Sequence, residues 1–282
     1  MAQFTNQAQL AYNNSVTNSN IAVGEILEVL SATKTAVQNT YGANDSVTYV
    51  ISIINSGNTA YNGITVTDNL GAGTGSAQTA PLTYEEDTLQ YYVDGILQPT
   101  PSVLTTSPLS VSGINVPAGG NATIIYEAKT NSFTPPVADA EVTNTAQISG
   151  TGFATFTADA TVTAENTPAL TIAKSISPVP VTENGLLTYT FVIQNTGNTA
   201  ADETANIIVT DVFNPTLSDL TVTLNGTVLT ENTDYTYDET TGVFTTDAGK
   251  ITVPAATFMQ DESSGAWITT PGTSTLVISG TV

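Results

Sequence analysis

The sequence lacks several residue types, and each absence narrows what the protein can do. Its 282 residues include no cysteine, no histidine and no arginine. Without cysteine there is no disulfide and no thiol chemistry. Without histidine, cysteine or a Gly-x-Ser-x-Gly motif, a hydrolase has none of its usual nucleophile–base pairs. We therefore expect no cofactor, no metal site and no enzyme that turns over.

Positive charge is also scarce, with four lysines against 25 acidic residues and a net charge of −21. Such a balance argues against nucleic acid and anionic membranes as partners. Acidic runs such as residues 85–87 lack the ligand spacing of an EF-hand calcium site. The N-terminus has neither the basic nor the apolar region of a signal peptide, and there is no span of 18 apolar residues. We expect no membrane insertion, and the export route stays open.

What the sequence does contain is typical of β-structure. Hydrophobic residues make up 40% of the chain, Thr, Asn, Val and Gly are abundant, and long helix-forming runs are absent. This length and composition predict about two all-β domains. The Asn-Gly and Asp-Gly pairs at 62–63, 94–95 and 225–226 predict hairpin turns.

An internal repeat organises the chain. Residues 34–58 and 174–198 both begin with Lys and carry Tyr 15 residues later, at Tyr49 and Tyr189, and both end in Asn-x-Gly-Asn. The next strand then ends in Val-Thr-Asp, at Asp68 in the first repeat and at Asp211 in the second. Recurrence of this order predicts two domains of the same fold.

A closing hairpin follows the first repeat but not the second. Residues 141–148 and 153–165 form it, and its Val-Thr-Asn-Thr-Ala-Gln-Ile is nearly repeated as Phe-Thr-Asn-Gln-Ala-Gln-Leu at residues 4–10. We therefore divide the chain into an N-terminal donor hairpin at 1–25, a first β-sandwich at 26–165, and a second at 166–282 that lacks its closing strands.

The ordered set of motifs resembles the conserved repeat domain of bacterial surface proteins, also called domain of unknown function eleven. The matching features are the starting Lys, Thr-Tyr before Asn-x-Gly-Asn, Val-Thr-Asp, and the closing Thr-Asn-x-Ala. The resemblance covers nearly the whole chain, twice. It implies tandem Ig-like or prealbumin-like β-sandwiches on the cell surface, similar to isopeptide-forming sandwich domains of pilins and adhesins, and it assigns no activity by itself.

Strand alternation predicts which polar residues face inward, because side chains on a strand have a period of two. In the first domain, Lys34, Asp68 and Asn144 each share a face with apolar neighbours. In the second domain Lys174 and Asp211 do the same. At the N-terminus the corresponding face carries Phe4, Asn6, Ala8 and Leu10.

A buried Lys–Asp–Asn set is what a spontaneous isopeptide bond requires. Burial lowers the pKa of the lysine and frees its amine as a nucleophile. A buried, neutral Asp then assists attack on the Asn carboxamide, and ammonia leaves. We predict Lys34–Asn144 bonds within the chain and Lys174–Asn6 bonds between chains, assisted by Asp68 and Asp211. A hydrogen-bonded triad without a bond, or lysines that reach solvent at strand ends, explains the same pattern.

The N-terminal hairpin is the missing part of the second domain, and we expect a neighbouring subunit to supply it. Five extended residues, from Glu25 to Leu30, span only about 17 Å, too short to pass a whole sandwich domain. Exchange by β-strand addition is head-to-tail and propagates into a filament. The prediction is a self-assembling extracellular fibre subunit of a bacterial cell or spore surface, whose partner is itself.

The alternative, from another class, is a monomeric stalk or adhesin module that binds a ligand. Its candidate binding stretches are the acidic, tyrosine-bearing residues 84–92 and 234–238.

Overall fold

A computed structural model describes residues 2–26, 28–73 and 79–282. The chain is all-β: the regular structure of the described residues consists of strands, apart from one 3₁₀ helix at Glu203–Ala205. Alternating sequence produces alternating burial. In the strand Ser46–Asn55, for example, Val47, Tyr49 and Ile51 are buried on one face. This period of two follows from the pleat of a β-strand.

The chain divides into two compact units, and both are all-β with more than one sheet, as the sequence predicts. Unit 1 consists of Met1–Asn131 and Val142–Val162, and unit 2 of Ser132–Glu141 and Thr163–Val282. The short segment 132–141 groups with unit 2, where the carbonyl of Ser132 accepts a hydrogen bond from the backbone of Trp267 at 2.8 Å. The domains predicted from the sequence are continuous segments, so they assign residues 132–141 to the first domain instead.

Residues 2–26 form two consecutive antiparallel strand pairs, here together called the ribbon. Its strands are β1 (Ala2–Asn6), β2 (Gln9–Tyr12), β3 (Ser15–Asn18) and β4 (Ala22–Ile26). Strand β1 pairs with β4, and β2 pairs with β3. Asn13 and Asn14 close the arm with φ angles of 40° and 62°, which suits Asn because it tolerates the left-handed region.

The described part of the body of unit 1 contains twelve strands in two sheets. The strands are β5 (Leu30–Ala36), β6 (Thr40–Tyr41), β7 (Ser46–Asn55), β8 (Tyr61–Asp68), β9 (Leu82–Tyr84), β10 (Gln90–Val93), β11 (Ile96–Leu97), β12 (Ser102–Thr106), β13 (Leu109–Val116), β14 (Asn121–Thr130), β15 (Glu141–Ser149) and β16 (Phe156–Ala164). One sheet has the order β11-β10-β14-β7-β5, with β9 also paired to β14. The other has the order β12-β13-β8-β15-β16-β6, so β8 lies between β13 and β15.

The strands of unit 2 are β17 (Leu170–Ser177), β18 (Leu186–Asn195), β19 (Thr210–Val212), β20 (Ser218–Leu224), β21 (Thr227–Val228), β22 (Tyr235–Asp238), β23 (Val243–Thr246), β24 (Thr257–Gln260), β25 (Trp267–Thr270) and β26 (Gly272–Thr281). The sheet β17-β18-β26-β20-β21 repeats the first sheet of unit 1. The second sheet, β19-β23-β22, is smaller than its counterpart, and β24 and β25 form a separate pair.

Two of the three predicted hairpin turns are present. Asp94-Gly95 joins β10 to β11 and Asn225-Gly226 joins β20 to β21, and all four residues have positive φ. The prediction for Asn62-Gly63 is wrong, because both residues lie within β8. There the positive φ of Gly63 accompanies a shift in the register between β8 and β13.

The recurring Asn-x-Gly-Asn motif has a structural role in both units. The fully buried Asn55 donates from Nδ2 to the carbonyls of Thr59 and Pro117, both at 2.8 Å, and accepts from the backbone of Gly57. Asn195 makes the equivalent bonds to Thr199, Pro254 and Gly197. One side chain thus satisfies the backbone of two adjoining turns, which explains why this motif recurs.

Candidate functional site

The predicted polar residues of unit 1 lie together in its interior. Strand β5 carries Lys34, β8 ends at Asp68, and β15 carries Asn144, and these residues are 5%, 1% and 0% exposed. Lys34 Nζ lies 2.6 Å from Asp68 Oδ2. Asp68 also accepts a hydrogen bond from the backbone of Leu70 through Oδ1, at 3.0 Å. A buried ion pair of this kind persists only when its remaining polar groups are also bonded.

Two tyrosines complete the cluster, and the sequence analysis did not include them in the site. The Tyr126 hydroxyl donates to Asp68 Oδ2 at 2.6 Å and accepts from Asn144 Nδ2 at 3.1 Å. The ring of Tyr49 stacks on that of Tyr126 with 5.6 Å between centroids. Lys34 Nζ lies 4.8 Å from the centroid of the Tyr49 ring. Tyr126 therefore connects the Lys34–Asp68 pair to Asn144.

Burial sets the electrostatics of this cluster. Desolvation lowers the pKa of Lys34 to about 8, although the carboxylate of Asp68 opposes the shift. Burial likewise raises the pKa of Tyr126 well above its usual value, with the nearby charge of Asp68 as a further cause. The amine is thus easier to deprotonate than an ordinary lysine, and the phenol keeps its proton.

The acceptor end of Asn144 is unusual. Within the part of the chain that the structure describes, Asn144 Oδ1 and the Tyr49 hydroxyl are buried without a hydrogen-bond partner. A buried polar atom left unpaired costs about 1–3 kcal/mol. The carboxamide that the sequence predicts as the target of Lys34 thus has an unsatisfied acceptor.

Unit 2 holds the matching ion pair in a different environment. Lys174 Nζ forms an ion pair with Asp211, but the two side chains are 40% and 18% exposed. The ammonium lies 4.4 Å from the ring centroid of Tyr189 and within about 6 Å of Phe191 and Phe213. The ammonium thus lies over rings of the unit 2 core, but among the described residues no strand covers the pair, which stays partly exposed.

The counterpart of Tyr126 is absent from unit 2. Tyr126 is paired with Tyr49 across β14 and β7, and Ile278 is paired with Tyr189 across β26 and β18. Ile278 therefore occupies the position of Tyr126. Its apolar side chain offers Asp211 no hydroxyl, and Phe213 stacks on Tyr189 instead, with 4.7 Å between centroids.

The open side of unit 2 is an exposed strand edge. In unit 1, β8 is paired with β13 on one side and β15 on the other. In the described part of unit 2, β19 is paired with β23 and has no neighbour on its other side. A cleft of about 350 Å³ lies along this edge, lined by Ile172, Lys174, Phe191, Ile208, Val209, Thr210 and Asp211.

The ribbon residues singled out from the sequence are all exposed. Phe4 and Leu10 are 53% and 60% exposed, and Asn6 and Ala8 are also exposed. Asn6 is not part of either polar cluster. Every hydrogen bond recorded for described residues 2–26 is formed within the ribbon. Large apolar side chains on an arm without a core are typical of a surface that another element covers.

Most tyrosines in the stretches proposed for ligand binding in the adhesin hypothesis are buried. Tyr84 and Tyr91 are 7% and 5% exposed, and Tyr235 is 3% exposed, so these three rings belong to the cores of the two units. Tyr92 and Tyr237 are partly exposed. Among the described residues, moreover, no helix is long and apolar enough to cross a membrane.

Tyr126 is not one of the polar residues that the two repeats share, because Ile278 occupies its position in the second repeat. The available signal was strand alternation, because Ala122, Ile124, Tyr126 and Ala128 share one buried face of β14.

Neither a family model nor a curated protein matches the sequence. Similar solved structures include the pilus backbone RrgB of Streptococcus pneumoniae, at 10% identity and a TM-score of 0.35, covering 86% of this chain and 55% of that one. The BcpA* (D312A) form of the major pilin subunit of Bacillus cereus has 11% identity and a TM-score of 0.39, covering 96% and 73%. A collagen-binding domain of a Staphylococcus aureus adhesin has 15% identity and a TM-score of 0.30, covering 50% and 100%. This chain thus spans about half the length of RrgB. Likeness at this level transfers no function, so the functional argument rests on the residues of this chain.

Proposed function

We propose that the protein is a structural subunit of a self-assembling extracellular filament on a bacterial cell or spore surface. The ribbon of one subunit completes unit 2 of the next by donor-strand exchange. One observation carries the proposal: the edge of β8 in unit 1 is covered by β15, while the matching edge of β19 in unit 2 is open.

The ribbon carries side chains that match those of β15. Phe4, Asn6, Ala8 and Leu10 correspond to Val142, Asn144, Ala146 and Ile148, all four of which are buried in unit 1. Fully burying an exposed Phe or Leu contributes about 1.5–3 kcal/mol each. The open edge of β19 also gains the backbone hydrogen bonds that an unpaired strand lacks.

The register of unit 1 predicts the register of the exchange. Ala146 is opposite Asp68 and Ile148 is opposite Val66. Transferred to unit 2, this pairing puts Ala8 opposite Asp211 and Leu10 opposite Val209. Asn6, two residues before Ala8, would then point into the cleft that Lys174 lines, as Asn144 points into the interior that holds Lys34.

Strand β4 of the ribbon has small side chains, as does β16, the strand beside β15 in unit 1. In unit 1, β16 buries Ala158, Ala160 and Val162 beside β15. In the ribbon, Ala22 is opposite Asn6 and Gly24 is opposite Phe4. The Phe4 ring lies over Gly24 so closely that a Cβ there would be 2.4 Å from Cζ of the ring. The ribbon is thus built as a preformed insert with Phe4 held in place.

Covalent closure follows docking in this proposal. Lys34 attacks Asn144 within unit 1, and Lys174 attacks Asn6 of the neighbouring subunit, each with loss of one ammonia. Asp68 and Asp211 assist as acid and base. Each bond forms once, during maturation, so the protein is not a turnover enzyme and needs no cofactor. The bonds supply the covalent link that a chain without cysteine otherwise lacks.

The contact is heterologous, because the ribbon and the cleft are different surfaces of one subunit. Such a contact generates a filament when it does not close into a ring. The two units are then two tandem copies of a conserved surface repeat. The net charge of −21 keeps the subunits soluble before they assemble.

Deleting residues 1–25 tests the exchange. The truncated subunit should retain both folded units and form no filaments by electron microscopy. It can still accept a ribbon, so small amounts added to intact subunits should shorten the filaments. Filaments formed by the truncated protein alone would contradict the proposal.

Asn6→Ala is the matched control for the covalent step. It keeps the apolar residues of the ribbon, so filaments should form but dissociate on boiling in detergent. A ladder that survives boiling in this variant would show that the intersubunit bond is not at Asn6.

A further inference from the structure

We propose that Tyr126 is the proton relay of isopeptide formation in unit 1, and that it passes a proton from Asp68 to the leaving nitrogen of Asn144. This inference rests on the proposed Lys34–Asn144 bond. It adds a catalytic residue that has no counterpart in unit 2.

The hydrogen bonds of the Tyr126 hydroxyl define its role. It lies 2.6 Å from Asp68 Oδ2 and 3.1 Å from Asn144 Nδ2. A phenol has one proton to donate. Since ionised Asp68 is an acceptor only, that proton points to Oδ2, and the phenol oxygen accepts from the amide nitrogen. The Tyr126 hydroxyl oxygen thus contacts both the carboxylate of Asp68, which receives the proton of Lys34, and the amide nitrogen of Asn144, which is the leaving group.

No direct route competes with this one among the described residues. The hydrogen bonds of Asp68 reach Lys34, Tyr126 and Leu70 but not Asn144. Lys34, Asp68, Tyr126 and Asn144 are all at most 5% exposed, so bulk water has little access to them. An amide nitrogen leaves readily only after it is protonated. The phenol is therefore the link through which Asp68 can serve the leaving group.

The reaction balances with Asp68 as the proton store. Lys34 gives one proton to Asp68, and the neutral Nζ attacks Cγ of Asn144, so that the Cγ–Nζ bond forms and electron density moves to Oδ1. Tyr126 gives its proton to Nδ2 and takes the proton of Asp68 in exchange. The Cγ–Nδ2 bond then breaks, the carbonyl re-forms and ammonia departs. Asp68 accepts the second proton of Nζ, and the product is a neutral amide beside a protonated carboxyl group.

The other tyrosine of the cluster does not fit this role. The Asn144 side chain lies close enough to the Tyr49 hydroxyl to influence its pKa, but among the described residues this hydroxyl makes no hydrogen bond to Asp68 and cannot take a proton from it directly. Tyr49 also recurs as Tyr189, whereas Tyr126 is replaced by Ile278. The relay is thus specific to the bond within unit 1, and the bond between subunits must form without it.

A time course of intact mass tests the relay. The chain is synthesised in a cell-free translation reaction, and loss of one ammonia at Lys34–Asn144 is followed by intact mass and peptide mapping. Tyr126→Phe keeps the stacked ring and removes the hydroxyl, so the bond should form about 10²- to 10⁴-fold more slowly. Tyr84→Phe is the matched control. The Tyr84 ring centroid lies 6.3 Å from that of Tyr126, and the Tyr84 hydroxyl bonds neither Asp68 nor Asn144. This variant should therefore form the bond at the wild-type rate.

The outcomes separate this inference from the proposed function. If the wild-type chain never loses ammonia at this site, the isopeptide bond itself is wrong. If the wild-type chain and Tyr126→Phe react at the same rate, the bond stands and the relay is overturned.

A second variant covers the case in which Tyr126→Phe does not fold. Incorporating 3-fluorotyrosine at position 126 alone makes the phenol more acidic with almost no change in volume. A relay predicts a changed rate of ammonia loss and a changed pH profile. A rate and profile identical to wild type would assign Tyr126 to packing only.

Discussion

The two units begin with the same strands and the same Lys–Asp pair, yet they differ at one edge. In unit 1, β15 covers the edge of β8, and the Lys34 and Asp68 side chains are 0% and 2% exposed. In unit 2, the edge of β19 is open, and the Lys174 and Asp211 side chains are 40% and 18% exposed. The closing strand therefore converts a surface ion pair into a buried one.

This difference shows which features of the polar cluster form within each unit's own strands and which require the closing hairpin. The pairing of Lys with Asp needs only the first strand and the strand that ends in Val-Thr-Asp, because both units form it. Burial of the pair and the approach of an Asn need the closing hairpin. In the proposed assembly, unit 2 would therefore become reactive only after a ribbon docks.

The largest expected contrast comes from placing a charge at equivalent positions of the two closing strands. Ile148→Asp puts a carboxylate at a position that is 0% exposed, which should destabilise unit 1 by more than about 4 kcal/mol. Leu10→Asp changes a side chain that is 60% exposed, so the isolated subunit should lose less than about 0.5 kcal/mol. Urea denaturation of unassembled protein measures both effects.

The same pair of variants also tests assembly. Leu10→Asp should abolish filaments although the subunit is fully folded, because docking would bury the new charge. Normal filaments from this variant would mean that Leu10 does not enter the cleft.

The next contrast compares the two carboxylates. In an Asn144→Ala background, where Lys34 stays a free amine, Asp68→Ala leaves Lys34 buried without its counterion, and breaking a buried pair in this way costs about 3–5 kcal/mol. Asp211→Ala removes the partner of a half-exposed lysine, which is worth about 1 kcal/mol or less. Each loss is read from the unfolding transition of its own unit. Equal losses would contradict the difference in burial between the two pairs.

The smallest contrast is a pH dependence that belongs to unit 1. Burial lowers the pKa of Lys34 from 10.5 to about 8. Between pH 8 and 10 the unfolded chain therefore binds more protons at this lysine than the folded unit does. The free energy of unfolding rises with pH in that window, by at most about 1.4 kcal/mol per pH unit. Below pH 8 the lysine is charged in both states, and the burial penalty is fully present.

A free amine is required for this slope. Asn144→Ala keeps Lys34 unreacted and should show the rise, whereas mature protein, with Lys34 in an amide, should not. The window stops at pH 10 because burial raises the pKa of Tyr49 and Tyr126, whose effect on stability has the opposite sign. Parallel curves for the two proteins would mean either that no bond forms or that Lys34 titrates normally.

The sequence predicted the parts of this molecule that depend on local periodicity. Alternation was sufficient to identify Lys34, Asp68 and Asn144 as inward-facing. The repeat led to the proposal that the ribbon is a displaced closing hairpin, which stays a prediction. Both inferences need only the two-residue period of a strand and the comparison of one repeat with the other.

The features that escaped prediction depend on contacts between distant strands. The place of Tyr126 between Asp68 and Asn144 arises only when β8, β14 and β15 come together. The Asn62-Gly63 pair has the composition of a turn, but its pairing with β13 keeps it inside a strand. Likewise, nothing in the local sequence of residues 132–141 indicates that they group with unit 2.

The positions of the lysines along the chain have a mechanical consequence. Lys34 lies in the first strand of unit 1 and Asn144 in β15 near its end. With both proposed bonds in place, tension along a filament would enter a subunit at Asn6, run to Lys34, cross to Asn144, continue to Lys174 and leave through the next subunit. Residues 35–143 and those after Lys174 would carry no load. Only residues 6–34 and 144–174 of a pulled fibre would then bear the load, and residues 35–143 and 175–282 would be protected from forces that unravel an unbridged chain.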